Sequence, residues 1–387
     1  MKTIKWMFVL LIGCLSLLPL SVAADSGWFD TTPTQQSVKK QRVAYYQGGD
    51  YGDYYDYLHA TTEALMALGW ISPQEIPVFA GKNSKALWHW LATHTRSDYL
   101  QFVSDAYFSA DWDQAQRSRS QQAMLQRVND AQDIDLIFAM GTWAGNDLAN
   151  NLHHTPTFIM SVSDPLSSGV IRSRDDSGFE HVYASFDPQL YAQQIQLFHK
   201  LIGFKRLGVP FENSLAGRSY AAIDLLEATA REKGFELVPC YTQSDITDQQ
   251  RANASVIQCF ETLAQQVDAL YVTVQGGVNT ATIPQLVAIA NQYGIPTFSQ
   301  NGEQEVRYGY LLSLSRRTGI TAEGRFLAEN MGRVLNGATP RRLTQVFENA
   351  SSITLNMKTA QDIGLYLSAD VLAAADKLYW QIELPER

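Results

Sequence analysis

From residue 41 onwards, the chain alternates between short apolar runs and longer segments in which apolar residues recur with helical spacing. The runs are typical of buried strands and, in the first half, cover 42–46, 76–80, 134–140 and 157–162. The intervening segments, such as 57–68 and 123–131, predict amphipathic helices. Repeated βα units of this kind indicate a parallel sheet with helices on both faces.

A second series with the same alternation begins near residue 189. Its predicted strands cover 206–209, 236–240, 269–274 and 296–299. Turn-forming residues collect between 163 and 188, which separates the two series. Right-handed crossovers would make each series a doubly wound layer. The predicted fold class is therefore α/β, with two doubly wound parallel-sheet lobes.

The lobes are not expected to be continuous in sequence. The segment 97–117 is rich in Asp, Ser and aromatic residues, and we interpret it as an insertion or extended loop. The tail from about residue 321 contains helical patches and a short strand at 353–355, so it can return to both lobes. The expected division is a first lobe of 41–165 plus about 295–345, and a second lobe of 166–294 plus about 346–387.

Residues 1–24 have the pattern of a secretory signal peptide, so we expect a periplasmic protein. Two lysines precede an apolar run at 6–20, and small residues follow at 21–24. An alternative remains open, because the box at 11–14 resembles a lipoprotein cleavage site that would leave a lipidated Cys14.

Charge and cysteine content narrow the picture further. The formal net charge is −9 at pH 7, which makes the chain a poor general binder of nucleic acid or anionic membrane. Removal of the signal peptide would leave two cysteines, Cys240 and Cys259. In an oxidising compartment these can form a disulfide, and two buried thiols are the alternative.

The candidate binding residues directly follow the predicted strands, because ligands of open parallel sheets bind beyond the carboxyl ends of the strands. Six successive strand ends finish in polar or glycine-rich clusters, which indicates one shared cleft. The candidates are Tyr46, Gln47, Tyr51, Gly141, Thr142, Trp143, Ser163, Asp164, Asn213, Gln275, Gln300, Asn301 and Glu303.

Each candidate role has a structural alternative. Thr142 and the free N–H groups of the following helix would bind an anionic group, or Thr142 would simply cap that helix. Asp164 or Glu303 would accept from an ammonium or hydroxyl group, or Asp164 would hold the turn before Pro165. Aromatic side chains would stack on a ring or sugar, or pack on the neighbouring helix; these are Tyr46, Tyr51 and Trp143.

Signatures of catalysis are missing from the sequence. There is no Gly-x-Ser-x-Gly elbow, phosphate loop or dinucleotide fingerprint. His153 and His154 are adjacent, so they cannot share one helix face as metal ligands do at a spacing of four residues. We therefore expect no catalytic residues, no metal and no cofactor.

Six segments carry a resemblance to a known family. The segments are 136–142, 161–165, 204–209, 267–272, 294–298 and 355–360, which read LIFAMGT, SVSDP, FKRLGV, VDALYV, GIPTF and LNMKTA. With this order and spacing, the chain resembles the substrate-binding proteins of ABC transporters with the type I periplasmic binding fold. More narrowly, it is similar to the subgroup that includes tryptophan- and phenylalanine-binding members.

The resemblance implies two lobes joined by three crossover segments, with a ligand clamped between them. The family's cleft-lining positions carry over to Thr142, Asp164 and Asn213. Two positions depart from the family pattern: Gln275-Gly276 stands where Asp-Asn is frequent, and Gln300-Asn301 stands where a Ser-Asp pair is frequent. These departures put an amino-acid ligand in doubt.

The predicted function is the capture of a small polar ligand, an amino acid or a similar solute, by a monomeric binding protein. The partner would be the membrane permease of an ABC importer. The alternative is a sensory protein whose closed form docks on a membrane receptor kinase or cyclase.

Overall fold

The computed structural model describes residues 29–34 and 39–385. The predicted signal peptide, including Cys14, lies outside the described residues.

The first lobe is built on a five-stranded parallel sheet with the strand order β2-β1-β3-β4-β5. Its central strand β3 is buried along its whole length, as expected of a strand covered by helices on both faces. The strands are β1 (Gln41–Gln47), β2 (Leu100–Ser109), β3 (Leu136–Met140), β4 (Thr157–Met160) and β5 (Val182–Ala184).

The second lobe is built on a seven-stranded sheet with the order β12-β11-β10-β9-β8-β6-β7. All neighbouring pairs are parallel except β10 and β11, which are antiparallel. The strands are β6 (Arg206–Phe211), β7 (Glu236–Tyr241), β8 (Ala269–Val272), β9 (Thr297–Ser299), β10 (Leu312–Arg316), β11 (Ser351–Asn356) and β12 (Lys377–Tyr379).

Helices connect the strands and cover both sheets. They are α1 (Gly52–Ala67), α2 (Ser84–His94), α3 (Gln114–Gln126), α4 (Gly141–Leu148), α5 (Leu190–Ile202), α6 (Leu215–Tyr220), α7 (Ile223–Lys233), α8 (Gln249–Leu263), α9 (Ile283–Gln292), α10 (Glu303–Arg307), α11 (Gly319–Leu335), α12 (Met357–Asp362) and α13 (Ala369–Ala374). A π-helical turn, Arg127–Ala131, extends α3, and short 3-10 turns cover Ala80–Lys82 and Pro340–Arg342.

The chain crosses between the lobes three times within the described residues. It leaves the first sheet after β5 and enters the second lobe at α5. It returns after β10, because α11 packs against α1 and buries Leu327 and Met331 in the core of the first lobe. It then leaves again to form β11. The fold is thus the two-lobed α/β arrangement that the sequence predicts.

Two predicted elements of the first lobe are wrong. The segment 76–80 contains no strand, and the expected insertion at 97–117 instead supplies β2 and the start of α3. β2 lies at the edge of its sheet, so only some of its residues are buried and its apolar alternation is interrupted.

The division into lobes also needs correction. Strands β9 and β10 belong to the second sheet, although 295–345 was assigned to the first lobe. Conversely, β5 belongs to the first sheet, although it was assigned to the second lobe. The part of 295–345 that does lie in the first lobe is α11.

Candidate functional site

The carboxyl ends of the two sheets face each other, and the loops that follow them are in contact. The Ser219 hydroxyl in the second lobe donates a 2.8 Å hydrogen bond to the backbone oxygen of Asp164 in the first. Trp143 and Ala110 of the first lobe form a small buried apolar cluster with Ala216 of the second. This meeting of strand ends from both lobes is the candidate site, here called the interlobe cleft.

The loop after β1 places aromatic side chains in this cleft. The loop passes close to the indole of Trp112 at Gly49, where a Cβ would lie only 2.5 Å from the ring, so this position favours glycine. Tyr51 precedes α1 and its ring meets that of Tyr54 edge-on, with centroids 5.5 Å apart. Tyr51 is affected electrostatically by Glu305 and Tyr191 of the second lobe, so this loop faces the opposite lobe.

The start of α4 is covered by a phenol. Gly141 has φ +80°, and a Cβ at this position would lie only 1.8 Å from Oη of Tyr54. Thr142 is buried as the second residue of the helix, while Met140 occupies the N-cap position without a side-chain hydrogen bond. The predicted capping role of Thr142 is therefore wrong, and Tyr54 packs against Gly141, the first residue of the helix.

Trp143 links the two lobes. Its ring meets Trp112 edge-on at 5.5 Å, and the guanidinium of Arg117 lies 4.5 Å from its ring centre. Burial and the charge of Glu212 raise the pKa of Asp245 in the second lobe to about 7, and Trp143 acts in the opposite direction. The indole thus faces a carboxyl group across the cleft.

Asp164 holds a turn. Its Oδ1 accepts from the backbone N–H groups of Leu166 at 3.2 Å and Ser167 at 3.0 Å, as in other Asp-initiated turns. Burial raises the pKa of Tyr191 in the second lobe, and the side chain of the neighbouring Ser163 acts in the opposite direction. Asp164 therefore contributes its backbone to the lobe contact, and Ser163 faces the second lobe.

Two candidates from β1 lie inside the first lobe. Tyr46 is fully buried and donates a 2.8 Å hydrogen bond to Asp147. Gln47 is also fully buried, donates to Asp50 at 2.8 Å and accepts from Tyr45 at 2.8 Å. Their polar atoms are used internally, so both are removed from the candidate site.

The two candidate glutamines of the second lobe are also structural. Gln275 donates to the backbone oxygen of Pro210 at 2.9 Å and accepts from Thr242 at 2.6 Å. Gln300 donates to the backbone oxygen of Tyr220 at 2.7 Å and accepts from the N–H of Val274 at 2.8 Å. Both are buried and tie loops of the lobe together.

The remaining second-lobe candidates are more exposed than the two glutamines. Asn213 and Asn301 are exposed, and Asn301 donates a 3.5 Å hydrogen bond to Glu305. Glu303 accepts from Tyr379 at 2.8 Å and pairs with Lys377 on β12. Burial acts to raise the pKa of Glu303, but the bonds to Lys377 and Tyr379 and the charges of Lys377 and Arg307 together lower it. Its carboxylate therefore anchors the C-terminal tail.

Three carboxyl groups that sequence reasoning missed lie around the cleft. Burial raises the pKa of Asp53 to about 6, with Asp56 adding to the effect. Burial raises that of Asp245 to about 7, together with Glu212. Burial also raises that of Glu305 to about 7, and Asp53 of the other lobe adds to it.

A signal for two of these groups was present in the sequence. Asp53 lies in the tyrosine-rich segment that follows β1, and Asp245 comes a few residues after β7, a strand end that the predicted set did not include. Glu305 is two residues beyond the chosen Glu303 on α10, so the two side chains point to different sides of the helix, and it is Glu305 that is buried.

A buried charged network lies at the crossover segments. Arg316 at the end of β10 pairs with Glu323 of α11, which also accepts from Tyr57 at 2.5 Å and from Ser185 at 3.2 Å. Arg316 Nε lies 3.8 Å from Asp187 as well. This network joins the second sheet to the first lobe at the point where the chain changes lobe.

The second lobe contains the Cys240–Cys259 disulfide, which links β7 to α8 with Cα atoms 5.6 Å apart. Of the two alternatives left by the sequence, the structure therefore has the bonded form. Among residues 29–34 and 39–385, no group of three or more His, Cys, Asp or Glu side chains is placed to hold a metal ion. No helix in the same part of the chain is long and apolar enough to cross a membrane.

Comparison with solved structures identifies similar two-lobed proteins. An ABC domain from Streptococcus pneumonia in complex with L-Trp is 18% identical, covers 87% of this chain and 99% of its own, and has a TM-score of 0.64. A conserved domain protein from Vibrio cholerae is 19% identical, covers 88% and 100%, and also has a TM-score of 0.64. At these identities the similarity shows a shared fold.

A ligand-free, open substrate-binding protein with adhesive properties from Clostridium difficile is 18% identical to the chain. It covers 88% of this chain and 100% of its own, with a TM-score of 0.56. A search of characterised protein sequences returned no significant match.

A family model provides the remaining comparison. The model described as ABC transporter substrate binding protein matches residues 105–379, which include both sheets apart from β1 and the first residues of β2. The match, the type I periplasmic binding fold and the facing strand ends agree. The chain belongs to the family of ABC transporter substrate-binding proteins.

Proposed function

We propose that this protein is an extracytoplasmic solute-binding protein that captures a small ligand in the interlobe cleft and delivers it to the membrane permease of an ABC importer. The observation that carries the proposal is the convergence of side chains from both lobes, Tyr51 and Trp143 on one side and Asp245 and Glu305 on the other. A ligand held there would touch both lobes, so its binding would favour the closed arrangement.

The crossover segments provide a mechanism for closure. Rotation about them would open the cleft, because the lobes are otherwise joined by side-chain contacts such as Ser219 to Asp164 and the Trp143 cluster. Closing over a ligand removes its polar groups from water, so each needs a partner in the cleft. The buried phenols and carboxyl groups supply such partners.

The proposed extracytoplasmic location and the proposed permease partner rest on the family and the N-terminal sequence. Substrate-binding proteins of ABC importers act outside the cytoplasm, and residues 1–24 have the pattern of a secretory signal. The similar Streptococcus protein was solved in complex with L-Trp, a small solute. These points support an imported small molecule as the ligand.

Two measurements test this function together. Native mass spectrometry of freshly purified protein should detect a retained small molecule, and small-angle scattering should show a smaller radius of gyration with ligand than after its removal. A thermal-shift panel of amino acids, amines, nucleosides and sugars would identify the ligand class, because a solute that binds only the folded form raises the melting temperature.

Two tryptophan variants provide the matched comparison. Trp143→Ala should reduce the ligand-induced thermal shift, whereas Trp380→Ala, at a side chain that is 68% exposed on the C-terminal tail, should leave it unchanged. Identical scattering curves with every member of the panel, and no retained molecule, would refute the proposed function.

A further inference from the structure

The acidic side chains of the interlobe cleft come from separate parts of the chain. Asp53 lies in the first turn of α1, Asp245 follows β7, and Glu305 lies on α10 after β9. They are close enough to interact across the cleft. In addition to burial, the charge of Asp53 raises the pKa of Glu305, and the charge of Asp245 raises the pKa of Tyr54. Asp53 and Asp245 therefore each face a residue of the opposite lobe.

Tyrosine side chains lie close to these carboxyl groups. The rings of Tyr51 and Tyr54 are in edge-on contact at 5.5 Å, and Tyr191 acts on Tyr51 from the second lobe. Tyr220 also faces Tyr54 and Asp245. Its Oη is buried and makes no hydrogen bond within 3.5 Å among the described residues, and Ser244 is the polar side chain nearest to act on it. This hydroxyl is therefore free to bind a ligand.

The basic side chains near the cleft are already paired. Arg117 contacts Asp147 at 2.8 Å and lies over Trp143. Lys82 pairs with Asp56, and its charge also opposes the larger effects of burial and Asp56 that raise the pKa of Asp53. Arg316 is held by Glu323 and Asp187 at the crossover segments. The described surroundings of the cleft thus have an excess of negative charge.

Burying a charged carboxylate without a cation is energetically unfavourable, so burial favours the protonated form of these groups. Burial raises the pKa of Asp53 to about 6 and those of Asp245 and Glu305 to about 7. A ligand with a carboxylate would add another negative charge to this group. A ligand with an ammonium group would supply the missing counter-ion, and the phenol rings would face its cation and its apolar body.

We propose that the interlobe cleft binds an organic cation, an amine on an apolar body that carries no carboxylate. Its ammonium group lies between Asp53 and Glu305, and its body contacts Tyr51, Tyr54 and Tyr220. This inference rests on the proposed solute-binding function and specifies the class of solute.

Decarboxylation pairs provide the test, because their members differ only in the carboxylate. Isothermal titration calorimetry on the intact protein, stripped of ligand by partial unfolding and refolding, compares tryptamine with L-tryptophan and putrescine with L-ornithine. In at least one pair, the amine should bind at least about tenfold more tightly than the amino acid.

Matched variants locate the cation within the cleft. Asp53→Asn and Glu305→Gln should each weaken binding of the amine at least about tenfold, since each removes one negative partner. Glu303→Gln is the control on the same helix as Glu305, because Glu303 pairs with Lys377 and Tyr379 instead. It should leave the affinity unchanged.

The pH dependence gives an independent readout. Between pH 8 and 5.5 the amine stays protonated while the cleft carboxyl groups take up protons, so its affinity should fall roughly tenfold or more. The groups that face these carboxyls are Asp56 and Lys82 at Asp53, Ser299, Asn301, Asp53 and Tyr51 at Glu305, and Glu212, Ser244, Trp143 and Arg117 at Asp245.

The outcomes separate this inference from the proposed function. Equal or tighter binding of the amino acids would overturn the inference and leave solute binding in place. The same holds if only sugars or nucleosides from the thermal-shift panel bind. Absence of binding by every class of solute would overturn both.

Discussion

Glu305 is expected to lower the stability of the ligand-free protein at neutral and higher pH. Its side chain is 8% exposed, and it accepts from Ser299 at 2.6 Å and from Asn301 at 3.5 Å. Burial raises its pKa from 4.5 to about 7, and Asp53 of the other lobe adds to the increase. The folded protein therefore holds a proton that the unfolded chain has already released.

The sign of the effect follows from this difference in proton binding. Stability from this group is fully present below the unfolded pKa near 4.5 and falls as the pH rises towards about 7. Above that pH the buried charge costs its full amount, which at 1.36 kcal/mol per pKa unit is about 3 kcal/mol at most. Glu305→Gln keeps the volume and an acceptor for Ser299, so we expect it to stabilise the ligand-free protein by about 1–3 kcal/mol at pH 8.

Urea unfolding at pH 8 and pH 5 measures this difference. The gain in unfolding free energy should be largest at pH 8 and should shrink at pH 5, where wild-type Glu305 is mostly protonated. Glu303→Gln is again the control: its carboxylate pairs with Lys377, so the variant should gain nothing at pH 8. A Glu305→Gln protein that is no more stable than wild type at pH 8, or whose gain is the same at both pH values, would refute the reasoning.

Three other predictions concern stability. Cys259→Ser should lower the unfolding free energy by roughly 3 kcal/mol, as expected for a loop closed over 19 residues, and a reducing agent should then have no further effect on the variant. Burial, with the neighbouring histidines, lowers the pKa of His181 to about 4, so the stability that its neutral ring contributes is lost as the pH falls from about 6.5. His181→Gln should therefore lose less unfolding free energy than wild type between pH 7 and 5, measured by chemical denaturation. Gly141→Ala should destabilise the protein by about 1–3 kcal/mol, because the new Cβ would collide with Oη of Tyr54. Gly203→Ala is the control: Gly203 also has a positive φ of +70°, but no atom lies within 4 Å of a Cβ there, so this variant should lose less stability. Equal melting temperatures for the two variants would contradict this.

The regular parts of the fold could be predicted from the sequence because burial on both faces makes a strand recognisable. The central strands β3 and β8 are entirely buried and read as uninterrupted apolar runs. β2 was missed because it is an edge strand with polar positions among its buried ones. The order of strands β9 and β10 in the second sheet depends on pairing between distant segments, which periodicity does not encode.

The general position of the site could be predicted, but most of its side chains could not. Strand ends do meet in the cleft, yet β1 continues to Gln47, so Tyr46 and Gln47 lie inside the sheet and the contacting residues begin beyond them. Gln275 and Gln300 come after strands but turn inward to satisfy backbone carbonyl groups. A polar residue after a strand has the same sequence pattern whether it points to the cleft or to the lobe.

The acidic character of the cleft is a long-range property. Asp53 and Glu305 are separated by most of the chain, and their interaction exists only when the lobes are assembled. The sequence shows each as one acidic residue near a turn. Their elevated pKa values come mainly from burial in the folded protein, and that of Glu305 is raised further by Asp53 of the other lobe, which no local pattern contains.

The return of α11 to the first lobe has a consequence for the growing polypeptide during synthesis. Leu327 and Met331 complete the core that begins with β1, and β11 and β12 complete the second sheet. Neither half can therefore reach its final packing until the ribosome has translated nearly the entire message. A nascent chain stalled after β10 would carry two unfinished halves with exposed apolar surface, and it would depend on chaperones for longer than a protein whose domains follow one another in sequence.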